Sequence, residues 1–145
     1  MEVLEQLGRR QIEALIAVRK GQSDERGAPL NFVARDLGIS APSALDRLTT
    51  LERLHLVVRY RGKTRLSPRG EAVLSEYRRH HRVAESLFQH LGLSADATHA
   101  AALEVDLAFS HSTIDRLCEA EGHPKECPHG EPIDPCSSRT GVGGS

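Results

Sequence analysis

Apolar residues recur at helical spacing through most of this chain. Leu7, Ile12, Leu15, Ile16 and Val18 fall at near-helical spacing, which predicts a first helix over 4–18, closed by Gly21-Gln22-Ser23-Asp24. A polar, charged loop is expected over 24–28. Residues 30–37 read as a short helix ended by Gly38, a residue that tolerates the left-handed backbone following a helix. Ser40 then caps a third helix, with Pro42 in the first turn, where a missing N–H costs nothing. Its apolar stripe is Ala44, Leu45, Leu48, Leu51 and Leu54. The β-prone runs 56–60 and 64–66, set about Arg61-Gly62-Lys63, predict a hairpin. Ser67-Pro68-Arg69-Gly70-Glu71 opens a long helix to about Leu91, stopped by Gly92, and two more helices are expected near 95–109 and 110–120. From Glu121 onward Pro and Gly are frequent. The expected layout is a domain over 1–72, a second over 73–136 and a disordered tail over 137–145.

Helix, helix–glycine turn–helix and two-stranded wing is the order of a winged helix-turn-helix. In that motif the start of the second helix of the pair faces base edges in the major groove of double-stranded DNA. Here that end exposes Ser40, Ala41, Pro42 and Ser43, followed by Asp46 and Arg47. Small residues permit close approach, while Arg47 and Ser43 can reach phosphate or a base edge. Arg59, Arg61, Lys63 and Arg65 on the wing supply charge for phosphates, so binding should weaken steeply with salt.

Composition sharpens this outline. Aromatic residues are only 3% of the 145 and Trp is absent, so the core must be built from Leu, Val, Ala and Ile, as in helical proteins. The net charge of −1 hides an asymmetry. Residues 1–82 carry sixteen basic and ten acidic groups, and the remainder three basic and ten acidic. A basic half suits a polyanion, and an acidic half something else. No run approaches a membrane span and Met1-Glu2-Val3-Leu4-Glu5 is no signal peptide, so a cytoplasmic protein without a membrane partner is expected. Three cysteines, Cys118, Cys127 and Cys136, are odd in number and confined to the C-terminal part, which argues against a secreted disulfide framework.

The chemistry concentrates in Arg79-His80-His81-Arg82-Val83-Ala84-Glu85. His81 and Glu85 stand at i and i+4 of the long helix and so share one face, as a clamp for a divalent metal requires. His80 points elsewhere, and neither it nor His55 or His90 is expected to bind metal. The segment 33–43, with Leu51-Glu52-Arg53, Leu66-Ser67-Pro68-Arg69-Gly70, the His81–Glu85 helix, His99, Ile114-Asp115-Arg116-Leu117 and Cys127-Pro128-His129-Gly130-Glu131-Pro132, resembles the diphtheria toxin repressor/manganese transport regulator family. The resemblance spans about 8–135. It implies a mainly α protein: a winged helix-turn-helix domain followed by a helical dimerisation domain, without the third, SH3-like domain of some relatives.

Carried over residue by residue, the resemblance makes His81, Glu85 and His99 metal ligands, adds Asp106 where the family has Glu, and Glu13 on the first helix. It also implies a homodimer on a palindromic operator, closed by Ala101, Ala102, Val105 and Phe109. Arg10, Leu103 and Leu107 depart from the pattern, since each stands where a ligand is expected, and one of the family's two metal sites looks dismantled. Oxygen and nitrogen donors point to Fe²⁺ or Mn²⁺; His111, Cys118, His123, Cys127 and His129 leave room for Zn²⁺ or Co²⁺. Cys127-Pro128-His129-Gly130 is equally readable as a structural turn. The function expected is a metal-responsive DNA-binding repressor of metal-homeostasis genes. The alternative is a winged helix repressor that is metal-independent or senses an organic ligand. No catalytic triad, phosphate loop or paired catalytic carboxylates stand out, so neither an enzyme nor a small-molecule substrate is expected.

Overall fold

The computed structural model describes residues 2–23 and 26–136. The expected disordered tail over 137–145 lies outside the described residues, as do Asp24 and Glu25 of the first loop. The chain is mainly helical and divides into two compact units, one over 6–75 and one that joins the first five residues to those from 76 onward.

The unit over 6–75 contains α2 (Arg9–Gly21), β1 (Ala28–Pro29), α3 (Leu30–Leu37), α4 (Ala41–Arg53), β2 (Val57–Tyr60) and β3 (Lys63–Leu66), and ends inside α5 (Pro68–His90). Its core is aliphatic: Ile12, Leu15 and Val18 of α2, Val33 of α3, Leu48 and Leu51 of α4, and Leu56 are all fully enclosed. Each such side chain contributes about 1.5–3 kcal/mol on burial. The expected single helix over 4–18 is interrupted. Gly8 is extended (φ −93°, ψ 172°), and its N–H donates to Gln11 Oε1 at 2.8 Å while its carbonyl accepts from Gln11 and Ile12. A separate one-turn α1 (Glu2–Glu5) precedes the break. It belongs with the other unit, where Glu5 Oε1 accepts from the His111 N–H at 3.0 Å.

The tight turn between α3 and α4 forms as its residues dictate. Gly38 takes φ 65°, and the N–H of Ile39 closes onto Ala34 O at 3.0 Å. Ser40 Oγ caps α4 by accepting from the Ser43 N–H at 3.2 Å. In the hairpin, Tyr60 pairs with Lys63 across Arg61 (φ 51°) and Gly62 (φ 77°), the two left-handed residues that match strand twist. The sheet has a third strand that the pattern did not predict. β1 pairs antiparallel with β3, giving the order β1-β3-β2, and two residues ending in proline show no alternation to read. At the start of α5, Ser67 Oγ accepts from the Gly70 N–H and donates to His55 O. A β-carbon on Gly70 would sit 2.0 Å from Leu56 O, so only glycine fits.

The second unit holds the rest of α5, α6 (Ala95–Val105), α7 (His111–Ala120) and a strap over 121–136. Ser94 and Ser110 cap α6 and α7, each accepting from the N–H three residues on. α6 stops at Val105 rather than continuing to 109; Asp106 and the residues after it turn back toward the Ser110 cap. Val83, Ile114, Cys118, Cys127, Ile133 and Cys136 form the buried cluster, with Phe109 and Leu117 packed against it. The strap is pinned to α5 by Arg82, whose Nη1 donates to Pro132 O at 2.7 Å, and by Arg79 Nε to Asp134 O at 3.3 Å. None of the three cysteines is in a disulfide.

Candidate metal centre and nucleic-acid interface

His81 and Glu85 emerge one turn apart from α5, with His81 Nε2 3.3 Å from Glu85 Oε1. His99, from α6, brings Nδ1 to 3.2 Å from His81 Nε2 and 3.9 Å from Glu85 Oε2. Asp106 lies on the other side of the imidazole. Fully buried, it meets His81 Nδ1 at 2.8 Å and accepts from the Tyr77 hydroxyl at 2.7 Å, both through Oδ2. A carboxylate on Nδ1 fixes the tautomer whose Nε2 lone pair faces Glu85 and His99. Asp106 therefore orients His81 from behind. Glu13 is an exposed residue of α2, in the unit over 6–75.

The strap adds two donors. Cys127 N donates to Glu131 O, and Gly130 N to Cys127 O, closing a tight turn over 127–131. That turn presents Cys127 Sγ and His129 to Glu85, all within 4.8 Å of one another. His129 Nδ1 lies 2.8 Å from Glu85 Oε2. It is not aligned as a donor, so this oxygen is buried with no hydrogen-bond partner. Leaving a buried carboxylate oxygen unpaired costs roughly 1–3 kcal/mol or more. Imidazole nitrogens and a thiol around an orphaned carboxylate oxygen fit a cation. Asp96 and Glu131 line the same hollow and offer further oxygens.

Two other groupings escaped the sequence pattern. Glu76 receives His80 Nε2 at 2.9 Å and His111 Nδ1 at 2.5 Å, while Arg79 bonds Asp115 at 2.6 Å and lies 3.5 Å from Glu76. Burial alone would raise the Glu76 pKa, but the His80 hydrogen bond and the charges of His80, His111 and Arg79 lower it to about 2. This network carries its own cation. Cys118, His123 and Cys136 form the other grouping. The i,i+4 spacing of Glu76 and His80 was the signal for the first; for the second, Cys118 and His123 stood among the donors expected to suit a softer ion, and Cys136 did not.

In the unit over 6–75, Pro42, Ser43 and Asp46 are exposed at the start of α4, Ser40 is exposed at its cap, and Ala41 and Arg47 are half-buried. Arg9 and Arg10 of α2 share a hollow with Ser43, Asp46 and Arg47. Arg26 joins Arg59, Arg61, Lys63 and Arg65 around a second hollow on the wing. Arg59 Nε there is buried without a hydrogen-bond partner. Tyr60 is 70% exposed, with the Arg61 guanidinium 5.3 Å from its ring centre.

Residues 67–135 match the family model described as the iron dependent repressor, metal binding and dimerisation domain. Among solved structures, the hypothetical protein SSo2273 from Sulfolobus solfataricus is 26% identical with a TM-score of 0.82, the match covering 88% of this chain and 99% of that one. T. acidophilum IdeR is also 26% identical, with a TM-score of 0.66, over 88% of this chain and 60% of that one. The matched domain and these structures support assigning the chain to the diphtheria toxin repressor/manganese transport regulator family. A manganese-dependent transcriptional repressor solved in complex with manganese shares the fold at 24% identity and a TM-score of 0.70, over 87% of this chain and 59% of that one. The chain thus spans about 60% of the length of these last two members. No curated protein matches it. The family comprises metal-dependent transcriptional repressors, and the winged helix and helical domain expected from the sequence are both present. Among the described residues, no helix is long and apolar enough to cross a membrane.

Of the positions at which this member departs from the family pattern, Arg10 is exposed on α2 and Leu103 is 40% exposed on α6. Leu107 is half-buried in the turn after α6. Ala102 is fully enclosed within its own unit and so cannot meet a partner chain, whereas Ala101, Val105 and Phe109 are half-buried.

Proposed function

We propose that this chain is a metal-responsive, DNA-binding transcriptional regulator that acts as a homodimer, most simply as a repressor of metal-homeostasis genes. The observation that carries the reading is the buried, unpartnered oxygen of Glu85 facing His81, His99, Cys127 and His129. His81, Glu85 and His99 would be the ligands, joined by His129 and Cys127, with Asp106 orienting His81. A divalent cation there would neutralise Glu85 and cross-link α5, α6 and the strap. Nitrogen and oxygen donors favour Fe²⁺ or Mn²⁺, and one thiol allows Zn²⁺ or Co²⁺. Glu13 is retained as an additional carboxylate donor on the family resemblance alone.

Ser40, Ala41, Pro42, Ser43, Asp46 and Arg47 would meet base edges, and the wing arginines and Lys63 the phosphates. Arg10 shares the α4 hollow and adds to that basic surface. Leu91, Leu93 and Leu103, between 37% and 65% exposed, extend the dimer face of Ala101, Val105 and Phe109. Two-fold symmetry of the dimer then calls for a palindromic operator. α5 starts in the DNA-reading unit and carries His81 and Glu85 in the other, so ordering at Glu85 acts on a helix that both units share.

The test is retention of a genomic fragment pool by the full chain with Mn²⁺, Fe²⁺, Co²⁺ or Zn²⁺ and then with chelator, beside His81→Ala and Arg10→Ala. Metal-dependent retention lost in His81→Ala supports the proposal. Retention indifferent to chelator selects the metal-independent alternative.

A further inference from the structure

The C-terminal end of α7 is built unusually. Its last turn closes with the His123 N–H on Cys118 O at 2.8 Å and the Gly122 N–H on Glu119 O at 3.0 Å. Both Gly122 (φ 76°) and His123 (φ 56°) adopt the left-handed conformation, in which a residue with a β-carbon pays about 1–2 kcal/mol. That backbone turns the imidazole onto two sulfurs: His123 Nδ1 stands 3.6 Å from Cys118 Sγ and 3.2 Å from Cys136 Sγ. Both cysteines are 1% exposed, whereas His123 is half-buried.

We propose that Cys118, His123 and Cys136 are a second metal site, distinct from the Glu85 cluster, for a tetrahedral thiophilic divalent cation of the Zn²⁺ kind. With Zn–S of about 2.3 Å and Zn–N of about 2.0 Å, sulfur and nitrogen donors of a tetrahedral site stand about 3.5 Å apart. The two observed separations bracket that value. None of the three residues lines the hollow around Glu85, and among the described residues no carboxylate joins them, so the donor set is softer than the first and selects a different ion. The exposed side of His123 leaves room for water in the fourth position. A redox pair of nucleophilic thiols is disfavoured. Burial first, then the hydrogen bond that the Cys118 thiol donates to Cys136 and the charge of Cys136, raise the Cys118 pKa against the pull of Arg79. Metal binding displaces both thiol protons.

The site has a structural consequence. His123 lies near the start of the strap and Cys136 is its last described residue, while Cys127 and His129 lie between them. A cation here fastens both ends of the strap to α7 and so holds in place the turn that reaches Glu85.

The test uses the full chain bearing His81→Ala and Cys127→Ser, which removes two donors of the Glu85 cluster, its thiol among them, so thiolate–cobalt bands cannot arise there and the outcome does not depend on the function proposed above. One equivalent of Co²⁺ should still bind, with the intense visible bands of tetrahedral cobalt and thiolate charge transfer in the near ultraviolet. Adding Cys136→Ser or His123→Ala should abolish both and lower Zn²⁺ affinity at least 100-fold, with helical circular dichroism retained. Neither addition truncates the core side of α7, so the variants remain informative about binding. A weak octahedral cobalt spectrum, unchanged affinity in Cys136→Ser, or recovery of Cys118 and Cys136 as a disulfide that takes up no metal after reduction would overturn the proposal.

Discussion

Two clusters on α5 are built from the same kinds of residue and end in opposite electrostatic states. Around Glu76, two imidazoles and the Arg79 guanidinium, itself bonded to Asp115, surround the carboxylate, although Arg79 Nη1, 3.5 Å from Glu76 Oε1, is buried without a hydrogen bond. Around Glu85, two imidazoles from α5 and α6, a strap imidazole and a thiol leave one carboxylate oxygen buried without a hydrogen bond. Residue identity does not separate the two. What separates them is whether the protein supplies the positive charge that a buried carboxylate needs. Arg79 does so at Glu76, whereas Arg82, which lines the hollow at Glu85, bonds Pro132 O and approaches Glu131 instead. The first cluster therefore holds its own cation, and the second calls for one.

Substitutions at the two clusters should separate sharply. Glu85→Gln keeps the shape and removes the charge, so its metal affinity should fall by more than the roughly 10–100-fold typical of outer partners, as read by titration calorimetry. Asp106→Asn should lose about 10–100-fold, because His81 is then free to take the wrong tautomer. If Asp106→Asn matches Glu85→Gln, Asp106 is itself a ligand. Cys127→Ser should weaken Zn²⁺ or Co²⁺ several-fold and leave Mn²⁺ nearly unchanged, since thiolate suits the softer ions; equal losses for all three would remove Cys127 from the donor set.

Glu76→Gln should leave metal affinity alone and instead cost about 1–3 kcal/mol of folding stability at neutral pH. Glu76 has a folded pKa of about 2, below its ordinary 4.5, so its contribution is present above pH 4.5 and disappears as pH falls toward 2. Chemical denaturation of both proteins over that range should show the two stabilities converging. A constant difference would mean that Glu76 acts through packing rather than charge.

Local signals were legible in the sequence, and relations across elements were not. Gly38, Ser40 and Pro42 announced the helix-turn-helix because each acts on backbone within a few residues. Arg61-Gly62 likewise announced the hairpin. The break at Gly8 was hidden by an apolar spacing that continues through it, and β1 was too short to show alternation. The pairing of His81 with Glu85 follows from helical spacing, but the side of the ring that Asp106 occupies depends on how the end of α6 packs on α5. The approach of Cys127 and His129 to Glu85 likewise depends on Arg79 and Arg82 pinning the strap. Cys118, His123 and Cys136 match no zinc-finger spacing, and the left-handed backbone at His123 that unites two of them with the third leaves no pattern in the sequence.

The most direct test of the account is reciprocity. The affinity of the full chain for Mn²⁺ or Fe²⁺ should be measured with and without a duplex that it retains, beside the affinity for that duplex with and without metal. If ordering at Glu85 is coupled to DNA reading, both affinities must rise by the same factor, in the range of about 5–150-fold. Metal affinity unchanged by the duplex, with Glu85 still required for metal, would contradict the account and leave the cluster a structural site only.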